Sequence, residues 1–284
     1  MDNNDILTEL ETEGIVELSA FYTKRQDVAP HIFSYLENTL TWQGQSHGSE
    51  LVQVFVPKGN DWKTNGTFIS VGHFPWKMIV TFTMEESGNQ LFNALVKTNR
   101  FDYANDMYLY YALHEKHIPI VDKAMSQRGL TKISEDRTDL WRLDQKEGIL
   151  KQPSFPNDYT MAPLNICDAG QVNDVWPHKS DSSEGYVRML IELNGGWGLY
   201  TQESNELVAW ILKSQLGQLA LLQVTEDHQK KGLAQALVYA LSKDIAQEGF
   251  PVLATIVQTN VASQNLFAKC GFEKLFMCTF NVYK

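Results

Sequence analysis

Residues 219–241 read LALLQVTEDHQKKGLAQALVYAL, and this stretch decides the fold. It opens with an apolar run of strand length, which ends at Val224. No apolar side chain follows until Leu233, where apolar residues begin to recur at helical spacing. The helical positions are Leu233, Leu237, Ala240, Leu241 and Ile245. The stretch therefore predicts a strand, a polar loop and an amphipathic helix.

The polar loop ends where the helix begins, at residues 229–234 (QKKGLA). Backbone N–H groups in a first helical turn have no intrahelical partner, so a helix start attracts anions. Gly232 has no Cβ and allows a ligand to approach closely, Ala234 is small, and Lys230 and Lys231 add positive charge. The pattern is neither a P-loop nor the Gly-x-Gly-x-x-Gly of dinucleotide-binding proteins. We predict a phosphate-binding loop, with a simple tight turn as the alternative.

The residues after this helix continue the pattern. Gly249 ends the helix, residues 252–257 form a second strand-like run, and residues 260–270 form a short helix that Gly271 stops. A strand, a helix and a further strand in this order predict a right-handed βαβ unit. Residues 198–201 and 207–212 are predicted as two hairpin strands before it.

The Gln-x-x-Gly-x-Ala pattern of residues 229–234 resembles the pyrophosphate loop of the GNAT superfamily of acyl-CoA N-acyltransferases. Asn260 and residues 266–272 (LFAKCGF) stand where that superfamily completes its coenzyme A site, with Phe267 in place of the usual Tyr. Residues 197–200, 207–210 and 249–252 look most like the glycine N-acyltransferase family. The resemblance implies an α/β (α+β) GNAT fold, with a mixed central sheet flanked by helices, over residues 158–284.

The resemblance also implies an acyl-coenzyme A donor, no metal, and a small amine or an amino acid such as glycine as acceptor. In the superfamily, backbone groups of the strand before the loop hold the pantetheine arm and polarise the thioester carbonyl. The coenzyme-binding residues implied here are Leu222, Gln223, Val224, Thr225, Gln229, Lys230, Lys231, Gly232, Leu233, Ala234, Asn260, Ser263, Phe267 and Lys269.

The acid and base positions of the family differ in this chain. Phe267 has no proton to give, and Gln218 stands where the glycine N-acyltransferases have a Glu. An amide cannot accept a proton near neutral pH. The candidate catalytic residues are Gln218, Glu206 and His228; further candidates are Glu192, Glu203 and Asp227 as bases and Tyr200 and Tyr283 as acids. The alternative is a weak or inactive acyl-CoA-binding protein with a regulatory role.

Residues 1–150 are predicted to form a separate α/β domain, joined by a linker at 144–157 that contains Gly148, Pro153 and Pro156. Helices are predicted within 5–41 and at 89–97 and 119–128, and strands at 51–57, 67–72 and 78–83. The aromatic residues between 103 and 111 are interpreted as a packed helix face, with a ligand surface as the alternative. We interpret this half as a degenerate copy of the same fold. It lacks a second Gln-x-x-Gly-x-Ala, so one coenzyme site is expected.

Composition excludes several classes of protein. The 284 residues carry a net charge of −10, which argues against binding to nucleic acid or to anionic membranes. Three cysteines are too few and too irregularly spaced for a disulfide framework or a zinc site. No apolar run of membrane-spanning length occurs, and the acidic N-terminus is unlike a signal peptide. The expected protein is soluble and intracellular, either cytoplasmic or mitochondrial.

Overall fold

The computed structural model describes residues 5–45, 48 and 50–284. The first elements in chain order are β1 (Leu7–Glu9), α1 (Thr12–Thr23), α2 (Pro30–Gln43), β2 (Val52–Pro57), α3 (Trp62–Asn65), β3 (Phe68–His73), β4 (Lys77–Phe82), α4 (Asn89–Lys97), β5 (Tyr108–His114), α5 (Ile118–Gln127) and β6 (Lys132–Leu143). They are followed by α6 (Gln145–Leu150), β7 (Tyr159–Pro163), α7 (Ala169–Asp174), α8 (Ser183–Asn194), β8 (Gly196–Thr201), β9 (Leu207–Lys213), β10 (Leu219–Val224), α9 (Leu233–Gln247), β11 (Val252–Val257), α10 (Val261–Lys269) and β12 (Glu273–Tyr283).

The chain divides into two compact units. Unit 1 consists of Met1–Asp139 and Phe276–Lys284, and unit 2 consists of Leu140–Leu275. The element order from β1 to β6 is repeated from β7 to β12, except that α3 has no counterpart in the second series. The order in both series is strand, two helices, three strands, helix, strand, helix and strand.

Unit 1 contains a mixed sheet with the strand order β1-β2-β3-β4-β5-β12-β6. The pairs β1–β2, β2–β3, β3–β4 and β5–β12 are antiparallel, and β4 and β5 are parallel. One of its cores joins sheet residues such as Ile69 and Tyr110 to Leu91 and Leu95 of α4 and Val121 of α5. The predicted strands at 51–57, 67–72 and 78–83 and the helices at 89–97 and 119–128 correspond to β2, β3, β4, α4 and α5.

Two predictions in unit 1 are wrong. Residues 7–9 form a strand rather than the start of a helix, and Asp5 fixes this segment by accepting hydrogen bonds from the backbone of Leu7 (2.8 Å) and Asn99 (2.7 Å). The aromatic residues from Tyr108 onward belong to strand β5, not to a helix face. Burial alternates along the first residues of β5, which is the two-residue period of a strand rather than the period of a helix.

Unit 2 contains the predicted strand, loop and helix as β10 and α9. Its sheet has the order β6-β11-β10-β9-β8-β7, with β10 and β11 parallel and β7 to β10 antiparallel. The apolar stripe of α9, including Leu233, Leu237, Leu241 and Ile245, packs in a core with Leu219, Ile211 and Ala254 of the sheet. Burial of this stripe is what fixes the direction of α9, and therefore the position of the loop before it.

The predicted linker at 144–157 does not separate the two units. Unit 2 begins at Leu140, residues 145–150 form α6, and the last nine residues belong to unit 1. Gln145 Nε2 donates to the carbonyl of Ala246 at 3.0 Å, and a Cβ placed on Gly148 would lie 3.1 Å from Ala246 Cβ. The backbone of α6 therefore packs closely on α9, so the glycine at 148 marks a close helix contact rather than a flexible joint.

Candidate functional site

Strand β10 has an irregular backbone on the way to the loop. Its pairing with β9 shifts register between Ala220 and Gln223, and Leu221 has a φ of 50°. This is a β-bulge, which locally disrupts a ladder and re-aims backbone groups. On the other side, Leu219↔Ala254 is the one pair in register with β11 in this fully described stretch. Residues 220–224 therefore leave backbone groups on the β11 side for another partner.

The loop after β10 leads into an open helix start. A 3₁₀ turn covers Glu226–His228, and Lys230 and Gly232 both have positive φ, at 62° and 83°. Gly232 is the residue before α9, and no side chain caps the helix there. A Cβ placed on Gly232 would meet no atom within 4 Å. The start of α9 therefore has no side-chain cap and no atom packed over Gly232, which suits the approach of an anion to its first-turn N–H groups.

The side chain of Thr225 adds a buried polar group at the entrance to this loop. Its Oγ1 is buried and has no hydrogen-bond partner among the described residues. The carbonyl of the preceding residue, Val224, accepts from Gln229 Nε2 at 3.4 Å, which ties the two ends of the loop's first half together. A buried hydroxyl without a partner costs free energy unless a ligand or water satisfies it, so Thr225 fits a site for a phosphate-bearing ligand.

Tyr159 is a residue of this loop region that the sequence analysis missed. Its Oη lies 2.8 Å from His228 Nδ1 and accepts from Lys231 Nζ at 3.1 Å. The ring of Tyr159 is buried, with 5% of the residue exposed, and the His228 ring packs edge-on against it at 5.6 Å. Because Tyr159 stands about 70 residues before the loop, no local spacing could have indicated this contact.

The second part of the predicted coenzyme site is the start of α10. Asn260 Oδ1 accepts from the backbone N–H of Ser263 at 3.0 Å, so Asn260 caps this helix and only its Nδ2 is left to donate. Phe267 is 5% exposed and packs edge-on against Phe272 at 5.0 Å, so it is a core side chain. Lys269 is exposed, whereas the side chain of Leu233 is buried.

The three candidate catalytic residues are not brought together. Gln218 precedes β10, whereas His228 follows it, and the six residues of β10 span about 20 Å. Glu206 is exposed in the turn between β8 and β9, at the same end of the sheet as His228 because Ala209 pairs with Val224. Gln218 is 1% exposed; its Oε1 accepts from Thr255 Oγ1 at 2.7 Å, and its buried Nε2 has no partner among the described residues.

The further acid and base candidates lie elsewhere. Glu192, Glu203 and Asp227 are exposed. Tyr200 Oη donates to Asp168 Oδ2 at 2.6 Å, and burial together with this carboxylate raises the pKa of Tyr200. Tyr283, the other candidate acid, belongs to unit 1, where its Oη donates to Asp122 Oδ1 at 2.6 Å and burial raises its pKa. Neither tyrosine is suited to give a proton to a thiolate at neutral pH.

Metal and membrane signals were searched over the described ranges of the chain. There, no group of three or more His, Cys, Asp and Glu side chains is placed to hold a metal ion. Within the same ranges, no helix has both the length and the apolar character needed to cross a membrane.

Comparison with protein families matches the two parts of the chain separately. Residues 196–281 match the family described as FR47-like protein, and residues 6–124 match a domain of unknown function (DUF5645). The first match covers β8 to β12 and so includes β10, the loop and α9. A comparison with curated protein sequences finds no match.

Comparison with solved structures identifies the fold. An X-ray structure of a Drosophila protein matches with a TM-score of 0.90 at 23% identity, covering 98% of both chains. A tandem GNAT protein from the clavulanic acid biosynthesis pathway matches with a TM-score of 0.59 at 9% identity, over 98% of this chain and 97% of that one. A GCN5-related N-acetyltransferase from Sphaerobacter thermophilus gives 0.51 at 12% identity, over 100% and 96%.

The chain has a two-domain, tandem GNAT fold. The predicted fold class is therefore confirmed. The repeated order of elements in β1–β6 and β7–β12 is the tandem arrangement seen from within the chain. GNAT acetyltransferases use acetyl-CoA as the acyl donor, so the loop between β10 and α9 is the part of this fold to compare with a coenzyme site.

Proposed function

We propose that the protein is an acyl-coenzyme A-dependent N-acyltransferase that acylates the amine of a small acceptor such as glycine or another amino acid. The observation that carries the proposal is the uncapped start of α9 next to a strand that is bulged against β9 and pairs with β11 at Leu219 alone within the described residues 219–257. A helix start suits the pyrophosphate, and free strand N–H and C=O groups suit the amides of the pantetheine arm.

The residues proposed to hold the coenzyme have distinct roles. The first-turn N–H groups after Gly232 bind the pyrophosphate, and Thr225 Oγ1 is a further donor beside them. The backbone of residues 222–224 binds the pantetheine arm and directs an N–H group to the thioester carbonyl. Asn260 contributes through Nδ2, because its Oδ1 caps α10.

The reaction requires a neutral amine to attack the polarised thioester carbonyl. A C–N bond forms, the C–S bond breaks, the amine gives up a proton and the thiolate takes one. Gln218 can position an acceptor through Nε2 but cannot take its proton, and Phe267 can donate none. The chain therefore supplies binding and carbonyl polarisation, and an acceptor that is already partly neutral needs no strong base.

The absence of a base at Gln218 and of an acid at Phe267 favours a second function. If Gln218 and Phe267 leave turnover negligible, the protein is a catalytically weak or inactive acyl-CoA-binding protein whose ligand has a regulatory role. The two proposals share the coenzyme site and differ only in acyl transfer.

The test is release of free thiol from a series of straight-chain acyl-CoAs, assayed against glycine, other amino acids and biogenic amines. Acceptor-dependent thiol release that is absent in Gly232→Glu supports the enzyme. Tight binding of acyl-CoA by calorimetry without thiol release for any acceptor supports the binding protein. Absence of both binding and turnover would refute both proposals.

Gln218→Glu sharpens this test because it supplies the carboxylate that a base would use. If a missing base limits the rate, general base catalysis predicts a gain of about a hundredfold or more, rising through the carboxyl pKa, with unchanged coenzyme affinity. Gln218→Leu is the matched control, since it fills the same buried position without a polar group. An equal rate in the parent and in Gln218→Glu would assign proton removal to another residue or to solvent.

A further inference from the structure

Three side chains of unit 2 form a hydrogen-bonded network across the loop between β10 and α9. Lys231 Nζ donates to Tyr159 Oη at 3.1 Å, and Tyr159 Oη lies 2.8 Å from His228 Nδ1. An ammonium group can only donate, so the hydroxyl accepts from Lys231. Its own proton remains to be donated, and we infer that it is directed to His228 Nδ1. The proton of a neutral His228 ring is then on Nε2, which faces away from Tyr159.

This hydrogen-bonded network holds the donor groups of Lys231 and His228 in place before any ligand binds. Lys231 and His228 belong to a loop with two residues at positive φ, whereas Tyr159 is anchored in the core with 5% of its surface exposed. Lys231 is exposed and keeps two of its three N–H groups for a ligand, and His228 adds Nε2–H. Three donors and one positive charge suit a phosphate monoester, which has three terminal oxygens and up to two negative charges.

The hydrogen-bonded network lies on a different side of the loop from the start of α9. Tyr159 begins the edge strand β7, which is three strands from β10 in the order β10-β9-β8-β7, or about 14 Å at normal strand spacing. Lys231 is therefore directed toward the β7 side, away from the unpaired β11 side of β10. A pyrophosphate bound at the helix start uses backbone N–H groups, and Lys231 is left for a different phosphate.

We propose that Lys231 and His228, held by Tyr159, bind the ribose 3′-phosphate of coenzyme A, with Tyr159 as a positioning residue. The proposal rests on the proposed function, because it requires coenzyme A as the ligand. It distinguishes the two lysines of the loop: Lys231 has a fixed partner in Tyr159, and Lys230 is exposed.

The experiment measures affinity for coenzyme A and for 3′-dephospho-coenzyme A by calorimetry in the parent, Tyr159→Phe, Lys231→Met, the double variant and Lys230→Met. We expect Lys231→Met to weaken coenzyme A binding about tenfold, because it removes a charge-assisted hydrogen bond to the phosphate. We expect Tyr159→Phe to weaken it about threefold, because it removes the hydroxyl that positions Lys231 and His228. The double variant should be no weaker than Lys231→Met. Affinity for 3′-dephospho-coenzyme A should change less than twofold in all of them, and high salt should reduce the differences.

The outcomes separate this proposal from the proposed function. Equal losses for both ligands would place Lys231 on the pyrophosphate and overturn the proposal, as would independent, additive losses for Tyr159→Phe and Lys231→Met. A parent that binds neither ligand would refute the proposed function and this proposal together. Nitrogen NMR of His228 in the ligand-free protein is a second readout. The Nε2–H form is expected in the parent, and loss of this form is expected in Tyr159→Phe. A Nδ1–H form in the parent would overturn the hydrogen-bonded network.

Discussion

The two units contain the same kind of helix start but treat it in opposite ways. Helix α9 of unit 2 follows Gly232 with a φ of 83°, and α4 of unit 1 follows Gly88 with a φ of 64°. A Cβ on Gly232 would meet nothing within 4 Å, whereas a Cβ on Gly88 would lie 2.2 Å from Ile120 Cδ1. The backbone conformation is the same, and only the surroundings decide whether a ligand can reach it.

Unit 1 fills its own helix start with a carboxylate. Glu85 Oε2 accepts from the backbone N–H of Gln90 at 2.7 Å, and Glu85 Oε1 accepts from Ser87 Oγ at 2.8 Å. A carboxylate in this place satisfies the same orphan N–H groups and the same positive end of the helix dipole that a phosphate would. Unit 1 therefore has no free anion-binding turn at α4.

The strands before the two helices differ in a similar way. β4 and β5 pair in register from Lys77↔Tyr108 to Ile79↔Tyr110, and beyond them His117 Nε2 lies 3.0 Å from the carbonyl oxygen of Thr83. The His117 ring packs edge-on against Phe82 at 4.5 Å. The space that is open beside β10 is thus closed by side chains beside β4, and the comparison teaches that one element order can keep or lose a ligand site through a few local contacts.

The largest expected effect comes from closing the open helix start of unit 2. Gly232→Glu should weaken coenzyme A binding by more than a hundredfold, because it adds a side chain and a negative charge where the pyrophosphate would approach. Calorimetry measures this. Gly249→Glu is the matched control at the other end of α9, since Gly249 also has positive φ and open space at its Cα. Equal losses in the two variants would mean that strain in the backbone, and not the site, weakens binding.

The second effect is the loss of stability of unit 1 in acid, because His31, His114 and His117 are buried among its described residues. His31 and His117 are 2% and 1% exposed, and the His114 ring packs at 4.2 Å from Phe276. Burial lowers the pKa of His114 to about 4 and that of His117 to about 3, and it lowers the pKa of His31 well below its ordinary value. In unit 2, His178 is exposed and His228 half-buried.

The direction of the pH dependence of stability follows from which state, folded or unfolded, binds protons more readily. The unfolded chain takes up protons near pH 6.5, whereas the folded chain resists them, so this stability is complete above pH 6.5 and is lost as the pH falls toward 4. The loss should be on the order of 3 kcal/mol for His114 alone. Urea unfolding at pH 7.5 and 4.5 measures it, with a shallower dependence expected in His114→Asn and no change in His178→Gln. NMR titration of the buried rings near pH 6.5 would contradict it.

The sequence predicted those parts of the fold whose signal is local. The apolar run, the glycine and the helical spacing in residues 219–247 correspond to β10, the loop and α9. Strand β6 gives a weak signal because its residues 133–137 are mostly exposed and charged. The aromatic residues of β5 were misread because buried aromatic positions do not by themselves distinguish a strand period from a helix period.

The parts of the candidate site that could not be predicted depend on contacts between distant residues. Tyr159 meets His228 across 69 residues, and Gln218 meets Thr255 across 37. Neither pairing leaves a mark on local spacing. The loss of the site in unit 1 was indicated by the missing Gln-x-x-Gly-x-Ala pattern, but its physical cause, the carboxylate of Glu85, became visible only in the structure.

A third and smaller effect concerns Glu85 itself. Glu85→Ala should cost about 1 kcal/mol of unfolding free energy, as for loss of a helix-capping group, while Glu85→Gln should cost less because it keeps an acceptor. Coenzyme A should still bind with one site per chain, since the side chains of His117 and Phe82 fill the adjacent space in unit 1. Chemical unfolding and the calorimetric stoichiometry are the measurements. Two sites per chain in Glu85→Ala would show that the carboxylate alone blocks unit 1.

The smallest effect separates capping from ligand binding at Asn260 in unit 2. Asn260→Ala removes the acceptor for the Ser263 N–H and should cost about 1 kcal/mol of unfolding free energy. Asn260→Asp keeps that acceptor, so stability should stay near that of the parent, but it exchanges Nδ2 for a carboxylate oxygen. If Nδ2 contacts the coenzyme, Asn260→Asp should weaken coenzyme A binding more than Asn260→Ala does, because it also adds a negative charge beside a phosphate-bearing ligand. Equal affinity in the parent and in Asn260→Asp would leave Asn260 with the capping role alone, the same kind of role that Glu85 has at α4 in unit 1.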